Sequence, residues 1–430
     1  MILRKRIHIK VYVLVLITVL LSALFLLFGW AVWHQSNGGN RLGKLGKYVI
    51  DIATIPNALL ESAEAKSPVW ETNKTKQTTN FVSHQPDSGY LLIPAYDKTH
   101  KQFVIKLFSL AAKQTVHTWI PDLKAIAKLN EGKGIALEAD LLQPISFKTQ
   151  HPILTSDKGL IIKGGYGLMK LNKDSKIEWF SAGNFHHATE QDHEGNYWTA
   201  GMINPTALDT NLFPKVKDDA IVKFNPQGEV LFKKSIASIL IENGAMYLLA
   251  GIGLYEEDMI HVNDVQPVLV NTTYAQQGDV FINIRNRSTL ILYSPATNKI
   301  KWLQTGPWSN EHDVSLIDSV RIGVLGNNVI RHGKKRFQFI HGYNSFYIYN
   351  FATKQVDTPY NAIMRKYDIA TKSEGRICIL KNGDLFIEES NNGRLMRVND
   401  NQPVWSYMEI IDKTNVSILG WSRYYERLPW

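Results

Sequence analysis

A hairpin pattern that recurs six times, with almost no long amphipathic helix between its copies, predicts an all-β fold, a six-bladed β-propeller. One uncharged apolar stretch near the N-terminus predicts a transmembrane helix ahead of the propeller, followed by a stalk. The predicted boundaries are a cytoplasmic tail at 1–10, the transmembrane helix at 11–33, the stalk at 34–85 and the propeller at 86–430.

The apolar stretch runs from Val11 to Trp33 without a charged residue. At about 1.5 Å per helical residue it would span roughly 35 Å, enough to cross a bilayer core. A cleaved signal peptide would have a shorter apolar region and a small-residue cleavage site, and the stretch has neither feature. The positive-inside rule predicts a cytoplasmic N-terminus, because four basic residues crowd that side: Arg4, Lys5, Arg6 and Lys10. The chain would cross the inner membrane once, with its propeller in the periplasm or another extracytoplasmic space.

The net charge of +9 does not indicate a nucleic-acid-binding surface. Residues 1–47 contain seven of the 48 basic residues and no acidic one, so the remaining chain carries 41 basic against 39 acidic residues. A nearly neutral body lacks the positive field that follows a phosphate backbone. The single cysteine, Cys378, excludes a disulfide scaffold.

Each hairpin copy has an apolar strand, a polar turn and a second apolar strand that typically closes with an aromatic residue. The copies begin at irregular intervals of 49 to 69 residues, which is one four-stranded sheet plus loops per unit. A β-sandwich or a β-helix is the alternative, but aromatic residues that close the hairpins suit packing between blades better. The copies begin at Val104, Leu168, Ile221, Leu290, Phe346 and Leu395.

Polar residues that recur in phase with the blades should converge on the propeller axis. His187 lies 8 residues before a glycine turn and Glu374 lies 9 before another. His261 precedes its turn by 17 residues across an apparent insertion, and His312 leads the equivalent strand of its blade. Arg285 follows a strand and should point into the same space. These residues are therefore expected to line one central channel.

The remaining histidines lack this support, and a structural or surface role is expected for them. His186 is ambiguous, because it neighbours His187 and could be the residue that faces inward. The segment from His186 to His193 resembles a metal cluster, but a strand and a turn would spread its side chains to opposite faces, so no metal site is predicted. The histidines set aside are His8, His34, His84, His100, His117, His151, His332 and His341.

Five segments, in this order, resemble the bacterial arylsulfotransferase family of aryl-sulfate-dependent sulfotransferases, over about residues 160–427. They read FHHATEQDHEGNYW, HVNDVQPV, VFINIRNRSTLILY, NEHDVSL and EGRICILKNGDLFIEESNNGRLMRVNDNQPVWSY. The resemblance implies that His312 is the histidine that becomes transiently sulfated. It implies active-site roles for His187 and His261, and matches Arg285 to the active-site arginine.

The resemblance also implies ping-pong transfer of a sulfuryl group from an aryl sulfate ester to a hydroxyl acceptor, which could be a phenol, a glycan or a lipid-linked compound. An imidazole is a good nucleophile near neutral pH and a reactive donor once sulfated. Asn263, His186 and Glu374 are expected to contact the substrate. No cofactor, nucleotide or metal is expected.

Two alternatives remain open at this point. One is a non-catalytic module that binds a ligand or partner in its channel, and departures from the family pattern leave this interpretation open. A quinoprotein-like propeller is a weaker reading, suggested by tryptophans that close hairpins, and it needs a cofactor platform that the sequence does not show. The departures are Ala188, Asn283, Ile284, Glu311 and Gly326.

Overall fold

A computed structural model gives two compact units, Met1–Pro68 and Val69–Trp430. The predicted cytoplasmic tail, apart from Lys10, lies outside the described residues. The structure describes residues 10–63, 69–75, 77–133, 143–251, 253, 255–332 and 336–430.

The first unit contains two described helices, α1 (Val11–Ser36) and α2 (Leu45–Ala63). Almost every α1 side chain is exposed, and the helix is long and apolar enough to cross a membrane by length and composition. The apolar helix predicted from Val11 is therefore present and continues to Ser36. The second helix contains Pro56, and its described apolar side chains include exposed ones at Tyr48 and Ile52.

The second unit is built almost entirely of antiparallel strands. In the first half of the chain they are β1 (Trp70–Thr72), β2 (Phe81–Ser83), β3 (Tyr90–Asp97), β4 (Gln102–Ser109), β5 (Gln114–Trp119), β6 (Gln150–Leu154), β7 (Leu160–Gly164), β8 (Gly167–Leu171), β9 (Ile177–Ala182), β10 (Phe185–Gln191), β11 (Tyr197–Met202), β12 (Asp219–Phe224) and β13 (Val230–Ser235). In the second half they are β14 (Val262–Pro267), β15 (Val280–Ile284), β16 (Thr289–Ser294), β17 (Lys299–Thr305), β18 (Glu311–Leu316), β19 (Arg321–Gly326), β20 (Val329–His332), β21 (Arg336–Phe339), β22 (Ser345–Asn350), β23 (Gln355–Asp357), β24 (Arg376–Ile379), β25 (Leu385–Glu389), β26 (Arg394–Asn399), β27 (Gln402–Met408), β28 (Asn415–Ser417) and β29 (Arg423–Tyr425). The described helices are α3 (Leu123–Asn130), α4 (Ile236–Glu242), α5 (Tyr247–Ala250) and α6 (Asn361–Lys366), with 3₁₀ turns at Arg285–Arg287 and Ser390–Asn392.

The described strands form six blades, as the sequence predicts. Blade 1 has the order β29-β3-β4-β5, blade 2 is β6 to β9, and blade 3 is β10 to β13. Blade 4 is β14 to β17, blade 5 is β18-β19-β22-β23, and blade 6 is β24 to β27 with β2 at its outer edge. The six predicted hairpins are confirmed as the third and fourth strands, counted from the axis, of the six blades.

Strands from both ends of the propeller chain join sheets whose other strands lie elsewhere in the sequence. The C-terminal strand β29 is the innermost strand of blade 1, where Arg423 is paired with Leu92. The N-terminal strand β2 pairs with β27 in blade 6, and β1 pairs with β28. Strands β1 and β2 lie within the segment that the sequence predicts as a stalk, so part of that segment belongs to the propeller's sheets.

Hydrophobic packing between neighbouring blades forms the core. Successive side chains of a strand point to opposite faces, so each strand can fill two interfaces. Leu91 and Ile93 pack toward blade 6, whereas Leu92 between them packs toward blade 2. The described residues give one such cluster for each pair of adjacent blades. Because the alternation is strict, both faces of each blade are buried.

Candidate active site

A repeated backbone feature marks the face of the propeller at which the innermost strands begin, called the mouth face below. At or just before each of these strands, one non-glycine residue has a left-handed φ of 52 to 57°. Register shifts follow it in blades 2, 3, 4 and 5. Such bulges redirect side chains and are common beside active sites. The six residues are His151, His187, His261, Asn310, Glu374 and Trp421.

The left-handed residues show which of the predicted side chains occupy equivalent backbone positions. His187, His261 and Glu374 do occupy equivalent positions. In blade 5 the equivalent residue is Asn310, and His312 lies two residues further along. His151, for which the sequence analysis found no support, occupies the equivalent position in blade 2. A signal for it existed, because it precedes Gly159 by 8 residues, the same interval as for His187.

Trp421 is the residue around which these rings gather. Its ring centroid lies 4.7 Å from that of His151, 5.9 Å from that of His187 and 6.2 Å from that of His312. The rings of His187 and His261 are 5.0 Å apart. Four imidazoles from four different blades therefore meet at the axis. Sequence reasoning missed Trp421, which is fully buried and donates its indole N–H to the Gly375 carbonyl.

His312 is held as a neutral imidazole of defined orientation. Its Nδ1 lies 2.5 Å from Oδ1 of Asn327 and 3.0 Å from the carbonyl oxygen of Asn310. Both are acceptors, so Nδ1 carries the proton and Nε2 carries the lone pair. Burial, reinforced by the nearby charge of Arg285, lowers the pKa of His312 to about 3. At neutral pH this ring is therefore uncharged, with its lone pair on Nε2.

Asn327 determines which tautomer His312 adopts. Its Nδ2 donates to the carbonyl oxygens of Thr371 and Glu374, at 3.0 and 2.9 Å, so its Oδ1 must be the atom that faces the imidazole. Gly326 permits this placement, because a Cβ there would lie 2.7 Å from Cε2 of Tyr347. Nothing in the sequence analysis singled out Asn327, since the contact joins the end of β19 to the start of β18.

The other two active-site candidates are also oriented by polar partners. Nδ1 of His187 lies 2.7 Å from Nδ1 of His186, so one proton is shared between them. Nε2 of His186 in turn lies 3.3 Å from the Asp219 carboxylate. Nδ1 of His261 lies 2.9 Å from Oδ2 of Asp258. Burial lowers the pKa of His187 well below its usual value, and the charge of neighbouring histidines adds to this effect.

Arg285 lies at the end of β15, in the 3₁₀ turn, and is largely buried. Its Nη1 donates to Oδ1 of Asn286 at 2.8 Å, while its Nε has no partner among the described residues. Burial lowers its pKa to about 10, so the guanidinium stays protonated at neutral pH. Its charge acts on both His312 and Glu311. An unused donor beside the nucleophile suits it to hold an anionic group.

Glu311 and Asn263 lie at the contact between blades 4 and 5. Asn263 is fully buried and donates from Nδ2 to the backbone carbonyl of Glu311 at 2.7 Å, which supports the start of β18. The Glu311 side chain is also fully buried, and burial raises its pKa well above the usual value. The Glu374 carboxylate lies across the mouth, where it accepts from Gln150 at 2.8 Å and pairs with Lys148 at 2.5 Å.

A layer of buried charges, which sequence reasoning largely missed, lies next to the histidines. The Glu190 carboxylate lies 3.1 Å from Arg423, 3.3 Å from Arg376 and 3.2 Å from Nδ1 of His151. Lys163 donates to Thr189 Oγ1 and the Gln150 carbonyl, each at 3.1 Å. Burial lowers the pKa of Lys163 well below its usual value. These contacts link blades 1, 2, 3 and 6 at the axis. Within the described parts of the chain, no group of three or more potential metal ligands is close enough to hold an ion.

The structure is therefore a six-bladed β-propeller with imidazole and guanidinium groups gathered at its axis. Residues 148–409, more than half of the chain, match the family model described as Arylsulfotransferase (ASST). The chain belongs to this family, as the sequence motifs indicate. The family and the propeller fold support a sulfotransferase-type function, with an aryl sulfate donor and an acceptor as substrates in general.

The comparison with solved structures found matches of low similarity, while the comparison with curated proteins found no match. A protein of unknown function from Bacteroides caccae is 12% identical, with a TM-score of 0.47, and covers 79% of this chain and 100% of its own. A streptogramin B lyase is 12% identical, with a TM-score of 0.40, over 80% of this chain and 88% of its own. Hydrazine synthase of Kuenenia stuttgartiensis is 9% identical, with a TM-score of 0.40, over 69% and 70%.

Proposed function

We propose that this protein is a membrane-anchored sulfotransferase that moves a sulfuryl group from an aryl sulfate ester to a hydroxyl acceptor through a sulfo-histidine at His312. One observation carries the proposal. His312 is buried and neutral, its Nδ1 proton is held by two acceptors, and its Nε2 has no hydrogen-bond partner among the described residues. A lone pair kept free in this way is what a nucleophilic imidazole requires.

In the first step, Nε2 of His312 forms a bond to sulfur while the bond between sulfur and the phenolic oxygen breaks. The electron pair leaves with the phenolate oxygen. His261, whose ring lies 5.0 Å from that of His187 and whose Nδ1 is bonded to the Asp258 carboxylate, passes a proton to this oxygen. Arg285 donates to the sulfuryl oxygens, on which charge redistributes in the transition state.

In the second step, the oxygen of the acceptor hydroxyl forms a bond to sulfur while the N–S bond breaks. The electron pair of that bond returns to Nε2 of His312. The hydroxyl proton passes to His261, which restores the starting state. The same imidazole acts first as acid and then as base, so the two half-reactions share one site and the kinetics are ping-pong.

The location of the enzyme follows from α1. Its apolar side chains are exposed over a length sufficient for a bilayer. We place the N-terminus in the cytoplasm on the positive-inside argument, with residues 34–430 in the periplasm. The periplasm holds no nucleotide sulfate donors, and an aryl sulfate ester already carries an activated sulfate. The proposed donor class therefore suits the proposed compartment.

The test is a burst experiment on the full-length protein in detergent or nanodiscs. A chromogenic aryl sulfate added without acceptor should release about one equivalent of phenol per site, and the peptide containing His312 should gain the mass of one SO₃. His312→Asn should abolish both signals. His151→Asn is the matched control, because His151 is another buried imidazole against Trp421 and should keep the burst.

The outcomes also distinguish an enzyme from a binding module. If the wild-type protein leaves the donor intact and gains no mass with several aryl sulfates, the propeller is a binding module and the proposal is wrong. If the mass gain falls on a peptide other than that of His312, the enzyme reading holds and the assignment of the nucleophile is wrong.

A further inference from the structure

The mouth face carries the long connections of the propeller. Innermost strands begin there, so each connection from the fourth strand of one blade to the first of the next lies on it, as do the connections between second and third strands. Helices α3 to α6 and the hairpin β20–β21 all belong to these connections. The substrate opening at the histidines is therefore surrounded by them.

These connections expose large apolar side chains to solvent. Single exposed apolar residues are ordinary, but a group around an opening marks a surface that contacts a membrane or another molecule. Tyr247 and Leu212 are more than half exposed. The exposed residues on this face include Ile120, Leu129, Ile145, Leu212, Ile241, Met246, Tyr247, Tyr255, Ile330 and Ile340.

The hairpin β20–β21 combines apolar and basic side chains. Between Ile330 and Ile340 the sequence contains basic and aromatic residues and no acidic one. Both isoleucines are exposed, each by 48%, and the Arg331 guanidinium lies over the Phe337 ring at 5.4 Å. Basic and apolar side chains together on an exposed hairpin suit the interface of an anionic bilayer.

A cavity beside the hairpin would accept part of an amphiphile. It has a volume of about 450 Å³ and lies between the hairpin and the connections that enter and cross blade 6. Phe337 and Phe339 supply apolar walls, and the Lys372 ammonium lies over the Phe337 ring at 5.5 Å. Lys372 is also paired with the Glu71 carboxylate in the same cavity. An apolar wall next to polar, charged side chains matches a molecule with a hydrocarbon part and a polar head.

The chain enters the propeller at the mouth face. The Val69 carbonyl accepts from the Ile418 amide at 2.9 Å, and β1 pairs with β28 in the connection between β27 and β29. The apolar helix α1 ends only 33 residues before Trp70. The opposite face also exposes Leu269 and Val270, but the tether does not enter there. A chain anchored through α1 is thus attached to the side of the propeller that holds the site.

We propose that the mouth face docks on an anionic lipid bilayer through the hairpin β20–β21 and the surrounding apolar side chains, and that the hydroxyl acceptor is an amphiphile held in that bilayer. The inference rests on the proposed function for its chemistry. An acceptor hydroxyl at the lipid surface would enter the mouth, take the sulfuryl group from His312 and leave its proton on His261.

The first test measures docking without any reaction. Full-length protein with Ile330→Cys in a Cys378→Ser background carries an environment-sensitive fluorophore and is reconstituted into phosphatidylcholine–phosphatidylglycerol vesicles. Val230→Cys is the matched control, because Val230 is 50% exposed and begins β13 at the opposite face. Spin-labelled lipid should quench the probe at position 330 at least threefold more than the probe at position 230. Equal quenching at both positions, or none at either, overturns the docking proposal.

The second test concerns the acceptor and uses Ile330→Asp with Ile340→Asp. The burst with a soluble aryl sulfate should be unchanged, because neither residue contacts the histidines. Transfer to a long-chain alkylphenol in the vesicles should fall about tenfold, while transfer to phenol in solution should not change. A parallel loss for both acceptors, or for neither, overturns the acceptor assignment. A wild-type protein that gives no burst refutes the proposed function and leaves the quenching result to stand by itself.

Discussion

The contact between His312 and Asn327 gives the sharpest prediction. Asn327→Ala removes the acceptor 2.5 Å from Nδ1 of His312. When Nε2 attacks sulfur the ring becomes cationic, so this hydrogen bond becomes charge-assisted and contributes about 1.5–3 kcal/mol in the transition state. The Asn310 carbonyl remains 3.0 Å from Nδ1 and replaces part of that contribution. We therefore expect the rate constant of His312 sulfation to fall about ten- to thirtyfold, since each tenfold corresponds to about 1.4 kcal/mol.

Stopped-flow release of a chromogenic phenol measures that rate constant, and a melting curve checks the fold. In Asn327→Ala the Thr371 carbonyl still accepts from the Asn344 amide at 3.0 Å, so only the Glu374 carbonyl is left without its donor. This loss should lower the free energy of unfolding by about 1–3 kcal/mol. The KM for the donor should not change, because the ground-state ring is neutral. Asn328→Ala is the control: this buried neighbour bonds to Tyr347 and not to the imidazole. A burst within twofold of wild type for Asn327→Ala, or an equal slowing by Asn328→Ala, would refute the reasoning.

Three further predictions follow from the site. Arg285→Lys keeps the charge but loses the donor fork, so kcat/KM should fall about a hundredfold. Arg287→Lys loses donors to the backbone carbonyls of Leu248, Leu249 and Asn286 and should keep its activity. Equal activity of both variants would remove Arg285 from the mechanism. Burial lowers the pKa of His151 to about 3 from an unfolded value of 6.5, so the stability that its neutral form supports is complete above pH 6.5 and is lost as the pH falls toward 3. Between pH 7.5 and 5.5, urea denaturation should show wild type losing about 1.4 kcal/mol more than His151→Asn, and parallel pH curves would contradict this. Burial raises the pKa of Glu311 well above its usual value, so the stability that its protonated form supports is present at low pH and is lost as the pH rises. In urea denaturation, Glu311→Gln should therefore stabilise the protein more at pH 7.5 than at pH 4.5, and an equal gain at both values would be the contrary result.

The hairpins were predictable because the information for them is local. A strand with alternating burial and a short polar turn can be recognised within about a dozen residues, and each of the six predicted copies forms the third and fourth strands of a blade, counted from the axis. The apolar helix was predictable for a similar reason, since its length and composition are contiguous. The motifs also sufficed to indicate the family, because they recur in a fixed order along the chain.

The blade positions at the axis were only partly predictable. Counting residues back from a glycine turn works while the innermost strand has a constant length, and it identified His187 and Glu374 as equivalent. It failed in blade 5, where Asn310 is the equivalent residue and His312 lies two residues further along. It would have succeeded for His151, which was set aside because a lone histidine is more often structural.

The sequence by itself determined the number of blades, the hairpins, the apolar helix and the residue types that the chemistry needs, because these depend on neighbours in the chain. Only the tertiary structure decided which of those residues meet. The Arg423–Glu190 contact joins residues 233 positions apart, and β29 reaches β3 only when the ring of blades has closed. The tautomer of His312 likewise depends on an amide at the end of a neighbouring strand. Such contacts arise from the closure of a circle of sheets, and no local pattern encodes which side chains a closed circle brings to its centre.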